Sequence, residues 1–128
     1  MKVKITAKHP KAEIRTLLAF AAKSVGVKHS SIGVWVKNCK RGKARGACYL
    51  GWHYITIGIG SCEDFPCANW AGRQKTIFAT LQEAFISVAA HEFAHMYQYQ
   101  NKRKTGEAEA HWYGWTALME YRASLLKE

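Results

Sequence analysis

The sequence predicts a single α+β domain, and three observations lead to this prediction. The chain has 128 residues, which is the usual size of one domain. Hydrophobic residues make up 48% of it and charged residues 22%, as is typical of a folded protein. Segments with the period of strands and of helices follow in the order strand, helix, strand, strand, helix, helix. We therefore expect residues 1–128 to form one domain, with a short, mainly antiparallel sheet packed on a long helix.

The first half of the chain carries most of the strand patterns. Residues 2–6 alternate apolar and polar side chains and predict a short strand. Pro10 suits the first turn of a helix, and apolar residues then recur at helical spacing, so we expect a helix over about 10–25. The segments "SIGVWVKNC" and "ACYLGWHYITIGIG" predict two further strands. We expect these two to pair as an antiparallel hairpin, with the longer strand bent at Gly51.

The second half is predicted to be mainly helical. Residues 61–76 contain Pro66 and two cysteines but no clear period, which indicates an irregular connection. Helical spacing returns afterwards, so we expect one helix over about 77–100 and another over about 106–126.

The stretch "VAAHEFAHMYQYQ", residues 88–100, has the spacing of a metal-binding helix. His91 and His95 are four residues apart and therefore lie on the same face, where both imidazoles can reach one ion. Glu92 follows the first histidine, as in the His-Glu-x-x-His pattern in which the carboxylate takes a proton from a metal-bound water. The flanking residues are apolar, which indicates a buried helix whose polar groups need partners. The alternative is a core helix with two ordinarily hydrogen-bonded histidines.

A third ligand is expected from the segment "TGEAEAHWYGWTALMEYR". Glu107, Glu109 and His111 are the candidates. Glu107 and Glu109 lie about 200° apart around a helix, so they cannot both face one ion. The helical phase groups Glu107 with His111 and assigns Glu109 to a solvated face. Thr105 is the predicted N-cap, which puts Glu107 in the first turn, where a carboxylate is favoured.

The motifs "HEFAH" and "EAEAH" resemble those of the gluzincin metallopeptidases, and of their minimal and small phage-type domains in particular. In that family the third ligand is a glutamate on the next helix, often in Glu-x-x-Ala-Asp. Residues 107–110 match the first four places of that motif, and His111 stands where the aspartate would be. The resemblance implies a small zincin-like fold, zinc held by His91, His95 and Glu107, and hydrolysis of peptide bonds with Glu92 as the base.

The histidine at position 111 departs from the family's motif and leaves three roles open. It could accept a hydrogen bond from a ligand histidine, as the aspartate does. It could assist a substrate oxyanion. It could also be the third ligand itself, which would resemble the SprT-like proteases with their three histidines. A second class of function also stays open, namely a basic nucleic-acid-associated domain with a structural zinc or a latent protease activity.

A substrate peptide is expected to lie against an exposed sheet edge. The segment "YITIGIG" is the predicted edge strand, because Ile55, Ile57 and Ile59 would face the core. The small residues on its other face would let a second backbone approach; they are Thr56, Gly58 and Gly60. The alternative is a central strand with a thin outer face.

The remaining composition bears on compartment and partners. The N-terminus lacks an apolar signal segment, so we expect a cytoplasmic monomer without membrane contact. Its four cysteines are then expected to be free thiols, with a second zinc site as the alternative. The net charge is +10, and it is concentrated in the loops "KNCKRGKAR" and "NKRK". These loops are either solvated turns or contacts for nucleic-acid phosphates.

Overall fold

The computed structural model describes residues 1–39, 44–71, 74–104 and 106–127, and it has the predicted α+β architecture. Within these ranges the chain forms six strands and three α-helices. They are β1 (Lys2–Ile5), α1 (Lys11–Val25), β2 (Gly33–Asn38), β3 (Ala44–Tyr49), β4 (Tyr54–Ile59), β5 (Cys67–Ala71), β6 (Gln74–Phe78), α2 (Leu81–Gln100) and α3 (Glu107–Leu125). The predicted helix bounds are therefore correct to within a few residues.

The main sheet is mixed, which corrects the expectation of a mainly antiparallel one. Its strand order is β1-β2-β4-β3. The pairs β1–β2 and β2–β4 are parallel, and only β3–β4 is antiparallel. α1 accounts for the parallel pair β1–β2, because a helix between two strands returns the chain to the starting end of the sheet. β4 is parallel to β2 because β3, which lies between them in sequence, runs antiparallel to β4 on its other side.

The chain bends at Gly51, and this bend produces a different hairpin from the predicted one. A short 3-10 turn over Leu50–Trp52 divides the predicted long strand into β3 and β4, which pair with each other. As a result β4 lies between β2 and β3 and is hydrogen-bonded on both sides. The prediction that Thr56, Gly58 and Gly60 mark an exposed sheet edge is therefore wrong: Thr56 and Gly58 lie within the central strand, and Gly60 directly follows it. The free edge near them belongs to β3.

Residues 61–76, predicted to be irregular, contain a strand, and part of a second one. β5 and β6 form a separate antiparallel pair, in which Cys67 is opposite Phe78. In the sequence "CANWAGRQKTIF" apolar and polar residues do not alternate regularly, although in the structure Ile77 is 64% exposed and Phe78 is buried. Such a weak pattern explains why the sequence did not predict it.

The hydrophobic core lies between the main sheet and the helices. It includes Ile55, Ile57 and Ile59 of β4, whose inward orientation is confirmed. α1 buries the apolar stripe that was predicted for it, whereas α2 is buried on most sides. Within the described ranges, no helix is both long and apolar enough to cross a membrane.

The start of α2 is fixed by polar contacts as well as by packing. Thr80 caps the helix by accepting a hydrogen bond from the Glu83 backbone N–H at 3.3 Å. The buried Glu83 carboxylate accepts from the Ala79 N–H at 3.0 Å and from the Arg122 guanidinium at 2.8 Å. Arg122 lies near the C-terminal end of α3, so this ion pair also links that end to the N-terminal end of α2.

A close approach of α3 to α2 depends on Gly114. A Cβ atom at this position would lie 2.9 Å from the Ser87 carbonyl oxygen and 3.6 Å from the His91 Cβ. The first distance is shorter than van der Waals contact and involves backbone, which cannot move independently of its helix. Gly114 therefore sets the separation of the two helices beside His91.

We expect Gly114→Ala to lower the free energy of unfolding by about 1–3 kcal/mol, because the added methyl group forces the helices apart. The measurement is chemical denaturation of the metal-free protein. Gly51→Ala is the matched control, since its Cβ would meet no atom within 4 Å, and it should change stability by less than about 0.5 kcal/mol. Equal stability of the two variants would contradict this account of the helix contact.

Candidate metal centre

Two imidazoles project from one face of α2, as the spacing of the motif predicts. The Nε2 atoms of His91 and His95 are 3.2 Å apart. Phe93 and Ala94, which lie between them in sequence, are fully buried in the core. The apolar side of α2 thus anchors the helix and leaves the two histidines on the side that faces α3 and β3.

Glu107 brings a carboxylate to these imidazoles from the first turn of α3. Its Oε1 lies 2.7 Å from His95 Nε2, and its Oε2 lies 3.4 Å from His91 Nε2. The Glu107 side chain is 67% exposed, so the group opens to solvent on this side. His91, His95 and Glu107 thus converge from two helices. They combine members of two groups that could hold a metal ion, His91 with Glu92 and His95, and His91 with Glu107 and His111. We call His91, His95 and Glu107 the metal-binding group.

The turn between α2 and α3 is held by Gln98, a residue that the sequence interpretation missed. Its side chain is only 1% exposed. Its amide oxygen accepts a hydrogen bond from the Gly106 N–H at 3.2 Å, and its amide nitrogen donates to the Gly106 carbonyl at 3.1 Å. The same oxygen lies 3.3 Å from His95 Nδ1. The sequence does contain a signal for this role of Gln98. It is an amide side chain three residues after His95, on a helix that was predicted to be buried.

Glu109 faces away from the metal-binding group, as its helical phase predicts, but it is not simply solvated. Its carboxylate accepts a hydrogen bond from the Gln98 amide at 3.1 Å and pairs with Arg103. The predicted N-cap Thr105 lies outside the described residues, and Gly106 occupies the N-cap position of α3. Glu109 thus reinforces the turn that delivers Glu107.

His111 contacts the Nδ1 atom of the His91 ring, whereas His95 contacts its Nε2 atom. Its Nδ1 lies 3.1 Å from the Nδ1 of His91, and its Nε2 lies 3.6 Å from Glu107 Oε2. His91, Glu107 and His111 also bring one ligand atom each within 4.8 Å of one another. The nitrogen of His91 that meets His111 is, however, the opposite one from that which meets His95 and Glu107.

Glu92 lies beside the metal-binding group in a cleft of about 400 Å³. It is 6% exposed, and its Oε1 lies 3.8 Å from His91 Nε2. The opposite wall is formed by Gly46 and Cys48 of β3 and by Leu50. A Cβ at Gly46 would lie 2.5 Å from the Glu92 Cγ, so only glycine leaves room for the carboxylate. A glycine inside a strand pattern was the signal for this close approach.

Burial shifts the pKa values of the groups in the cleft in the direction that favours their uncharged forms. It raises the pKa of Glu92 to about 7, and the charge of Glu107 adds to this shift. It lowers the pKa of His91 to about 4, with a further contribution from the nearby His95. The pKa of the Cys48 thiol rises to about 12 through burial and the neighbouring Glu92. At neutral pH His91 is therefore uncharged, which leaves a nitrogen lone pair free to bind a metal ion.

The four cysteines all lie within the described residues and form no disulfide bond, as expected. Cys48 lines the cleft, whereas the Cys62 Sγ lies 3.9 Å from His9 Nδ1, on another part of the surface. Among the residues that the structure describes, the groups with metal-ligand spacing consist of histidines and glutamates and include no cysteine. The alternative of a second zinc site at the cysteines gains no support from this arrangement.

The protonation of Glu92 predicts a pH-dependent stability of the metal-free protein. Its pKa rises from the usual 4.5 to about 7 on folding, so its ionisation favours unfolding as the pH rises through this interval. Glu92→Gln cannot ionise. We therefore expect the variant to gain stability over the wild type between about pH 4.5 and pH 8, by at most roughly 3 kcal/mol.

Thermal unfolding of both proteins across this pH range, with a chelator present, measures the difference. Destabilisation by charging of His91 at lower pH affects both proteins and cancels in the comparison. Glu120→Gln, which replaces an exposed carboxylate of α3, controls for the loss of a carboxyl group as such. A stability difference that stays constant from the lower to the upper pH limit would contradict the burial account of Glu92.

Comparison of the whole chain with known proteins gives no match. No family model matches the sequence, and neither the curated proteins nor the solved structures include a match. The chemistry of the site must therefore be argued from its own atoms.

Proposed function

We propose that this protein is a zinc-dependent metallopeptidase in which His91, His95 and Glu107 hold the metal and Glu92 is the catalytic base. One observation carries the proposal. Three ligand side chains from two helices converge within 2.7–3.4 Å, directly beside a buried carboxylate in an open cleft. A structural zinc site normally has four protein ligands and is closed, whereas a catalytic site has three and stays accessible.

The spacing and chemistry of these ligand atoms fit zinc. Ligands at about 2.0–2.1 Å in a tetrahedron lie roughly 3.3 Å from one another. The observed separation of 3.2 Å between the imidazole nitrogens is close to that value. The two oxygens of the Glu107 carboxylate lie 2.7 Å from His95 Nε2 and 3.4 Å from His91 Nε2, within reach of an ion between them. Two nitrogens and one carboxylate oxygen are also a ligand set that catalytic zinc sites use. When bound, zinc would polarise a substrate carbonyl and acidify a water molecule.

The second nitrogen of each histidine has a partner that favours metal binding by the first. The His95 Nδ1–H can donate to the Gln98 amide oxygen, and the His91 Nδ1–H can donate to His111 Nδ1. In both cases the proton stays on Nδ1, and the Nε2 lone pair points toward Glu107. His111 would then supply the hydrogen-bond acceptor that orients a ligand histidine, and it need not bind the metal itself.

Glu92 has the surroundings of a general base. A carboxyl group with a pKa of about 7 can both take up and release a proton near neutral pH. Glu92 would accept a proton from a water molecule in the cleft and then transfer it to the leaving amine. Gly46 keeps the space next to this carboxylate open, because any larger residue there would displace it.

The free edge of β3 is the site at which we propose that a peptide substrate binds. β3 is the terminal strand of the sheet, and its Gly46 and Cys48 line the cleft together with Glu92. An extended peptide paired with this edge would pass along the metal-binding group through main-chain hydrogen bonds. This proposal replaces the expectation that β4 would serve as the edge.

Metal content tests the ligand assignment. Elemental analysis of the wild type should give about one zinc per chain. Glu107→Ala should lose the zinc, whereas His111→Ala should retain it with weaker affinity, by about 10–100-fold for a lost supporting hydrogen bond. Glu120→Ala, which removes a carboxylate elsewhere on α3, is the control. Loss of zinc with His111→Ala but not with Glu107→Ala would instead assign the third ligand to His111.

Hydrolysis tests the role of Glu92. We expect Glu92→Gln to keep its zinc and to lose at least about 10²-fold in the rate of cleavage of an unfolded, fluorescently labelled casein, because it can no longer accept a proton. The wild type treated with a chelator and then resupplied with zinc shows whether activity follows the metal. Full activity in a zinc-loaded Glu92→Gln protein would contradict the proposed mechanism.

A further inference from the structure

The face of the main sheet that points away from the helices carries an aromatic groove. Its register aligns Trp35 of β2 with Thr56 of β4, and Tyr54 of β4 with Tyr49 of β3. These side chains alternate with the isoleucines of β4 that face the core. Together with Trp52 and Lys37 they line a groove of about 470 Å³. We call this surface the sheet-face platform; it consists of Trp35, Lys37, Tyr49, Trp52, Tyr54 and Thr56.

Two of the platform's four aromatic side chains are open to solvent, whereas Trp35 and Tyr54 are half-buried. Trp52 is 85% exposed and Tyr49 is 50% exposed. The rings of Tyr49 and Tyr54 lie 6.2 Å apart at an angle of 40°, so they do not close over each other. Grouped exposed aromatic rings of this kind mark a binding surface rather than ordinary surface scatter.

Positive charge surrounds the platform. The ammonium groups of Lys4 and Lys37 lie 5.0 Å and 4.9 Å from the centroid of the Trp35 ring. Lys2 of β1 and Arg45 of β3 are exposed at its borders and alternate with core-facing residues, which gives them the same orientation. The sequences of β1, β2, β3 and β4 contain no aspartate or glutamate. A cationic ligand would be repelled here, whereas an anionic one is attracted.

We propose that the sheet-face platform binds single-stranded nucleic acid. The aromatic rings can stack on unpaired bases, while the lysines and Arg45 contact the phosphates between them. A duplex would present only its backbone to a shallow sheet face, because its bases are already stacked. The observations therefore favour a single strand over a duplex, and an anionic chain with flat apolar units over a neutral polysaccharide.

This proposal does not depend on the proposed peptidase activity. The platform and the cleft lie on opposite faces of the sheet, as β3 illustrates: Gly46 and Cys48 line the cleft, whereas Tyr49 lines the platform. Binding can be measured without any hydrolysis. We expect Glu92→Gln to bind nucleic acid as tightly as the wild type does.

The aromatic contribution is tested by fluorescence anisotropy with labelled oligothymidylate and oligouridylate of about 12 nucleotides. Trp52→Ala should weaken binding about tenfold, since one stacked base is lost. Trp112→Ala is the matched control, because Trp112 is also exposed, at 59%, but lies on α3. Saturating oligonucleotide should also quench tryptophan fluorescence in the wild type and less so in Trp52→Ala, a signal that a purely structural role would not change.

The charge contribution is tested by two double variants with the same change in net charge. Lys4→Glu with Lys37→Glu alters the platform, whereas Lys11→Glu with Lys23→Glu alters exposed positions of α1. The platform variant should bind more weakly by at least about tenfold, and its salt dependence should be less steep by about 1.4 in log–log slope, as expected for two lost phosphate contacts. Circular dichroism checks that both variants stay folded.

Several results would overturn the proposal. The first is undetectable binding of both oligonucleotides by the wild type at low salt. Equal losses in Trp52→Ala and Trp112→Ala, or in the two lysine double variants, would indicate non-specific attraction to a basic protein. Tighter binding of a duplex of the same sequence would exclude stacking on unpaired bases. Binding of a neutral polysaccharide with the same dependence on Trp52, and without nucleic-acid binding, would assign the platform to another ligand.

Discussion

The candidate metal centre depends on the buried amide of Gln98. This one side chain hydrogen-bonds to both backbone groups of Gly106 and to Glu109, and its oxygen also meets His95. The start of α3 and the orientation of a candidate ligand are therefore fixed by the same group. An unpaired amide at this depth would cost about 1–3 kcal/mol, so the turn and the imidazole are favoured together or lost together. Gly114 then lets α3 lie close enough to α2 for Glu107 to reach both histidines.

The cleft places ionisable groups where their usual charges are unfavourable. Burial raises the pKa of Glu92 and lowers that of His91, so the metal-free fold favours a protonated carboxyl and a neutral imidazole. A bound cation would reverse the preference of the carboxyl group while it keeps the imidazole neutral. Such a site should therefore stabilise the fold when it is loaded, because the ion binds the folded state and relieves the repulsion between Glu92 and Glu107.

The sequence predicted what depends on local periodicity and was wrong where distant segments pair. The three helices and the shared face of His91 and His95 follow from helical phase, which is set by nearby residues. The approach of Glu107 depends in addition on the contacts between α2 and α3. The position of β4 in the sheet depends on its pairing with both β2 and β3, and the residue pattern of β4 itself does not predict those pairings. The roles of Gly46 and Gln98 were missed for a related reason, since each role depends on contacts with another element.

The alternation of side chains along β3 links the two proposed sites. One face of this strand supplies Gly46 and Cys48 to the cleft, and the other supplies Tyr49 to the platform, while its edge stays free. The two faces follow opposite chemical requirements. The residue of β3 that faces Glu92 must be small, because a Cβ at Gly46 would lie 2.5 Å from the Glu92 Cγ. Toward solvent it carries an exposed aromatic ring next to cations, which contributes nothing to the core and so requires an explanation outside the fold. A register shift of one residue would exchange these faces, turning Gly46 and Cys48 toward the platform and bringing Arg45 or Ala47 into the place of Gly46 beside Glu92. The pairing of β3 with β4 is therefore a condition for both sites.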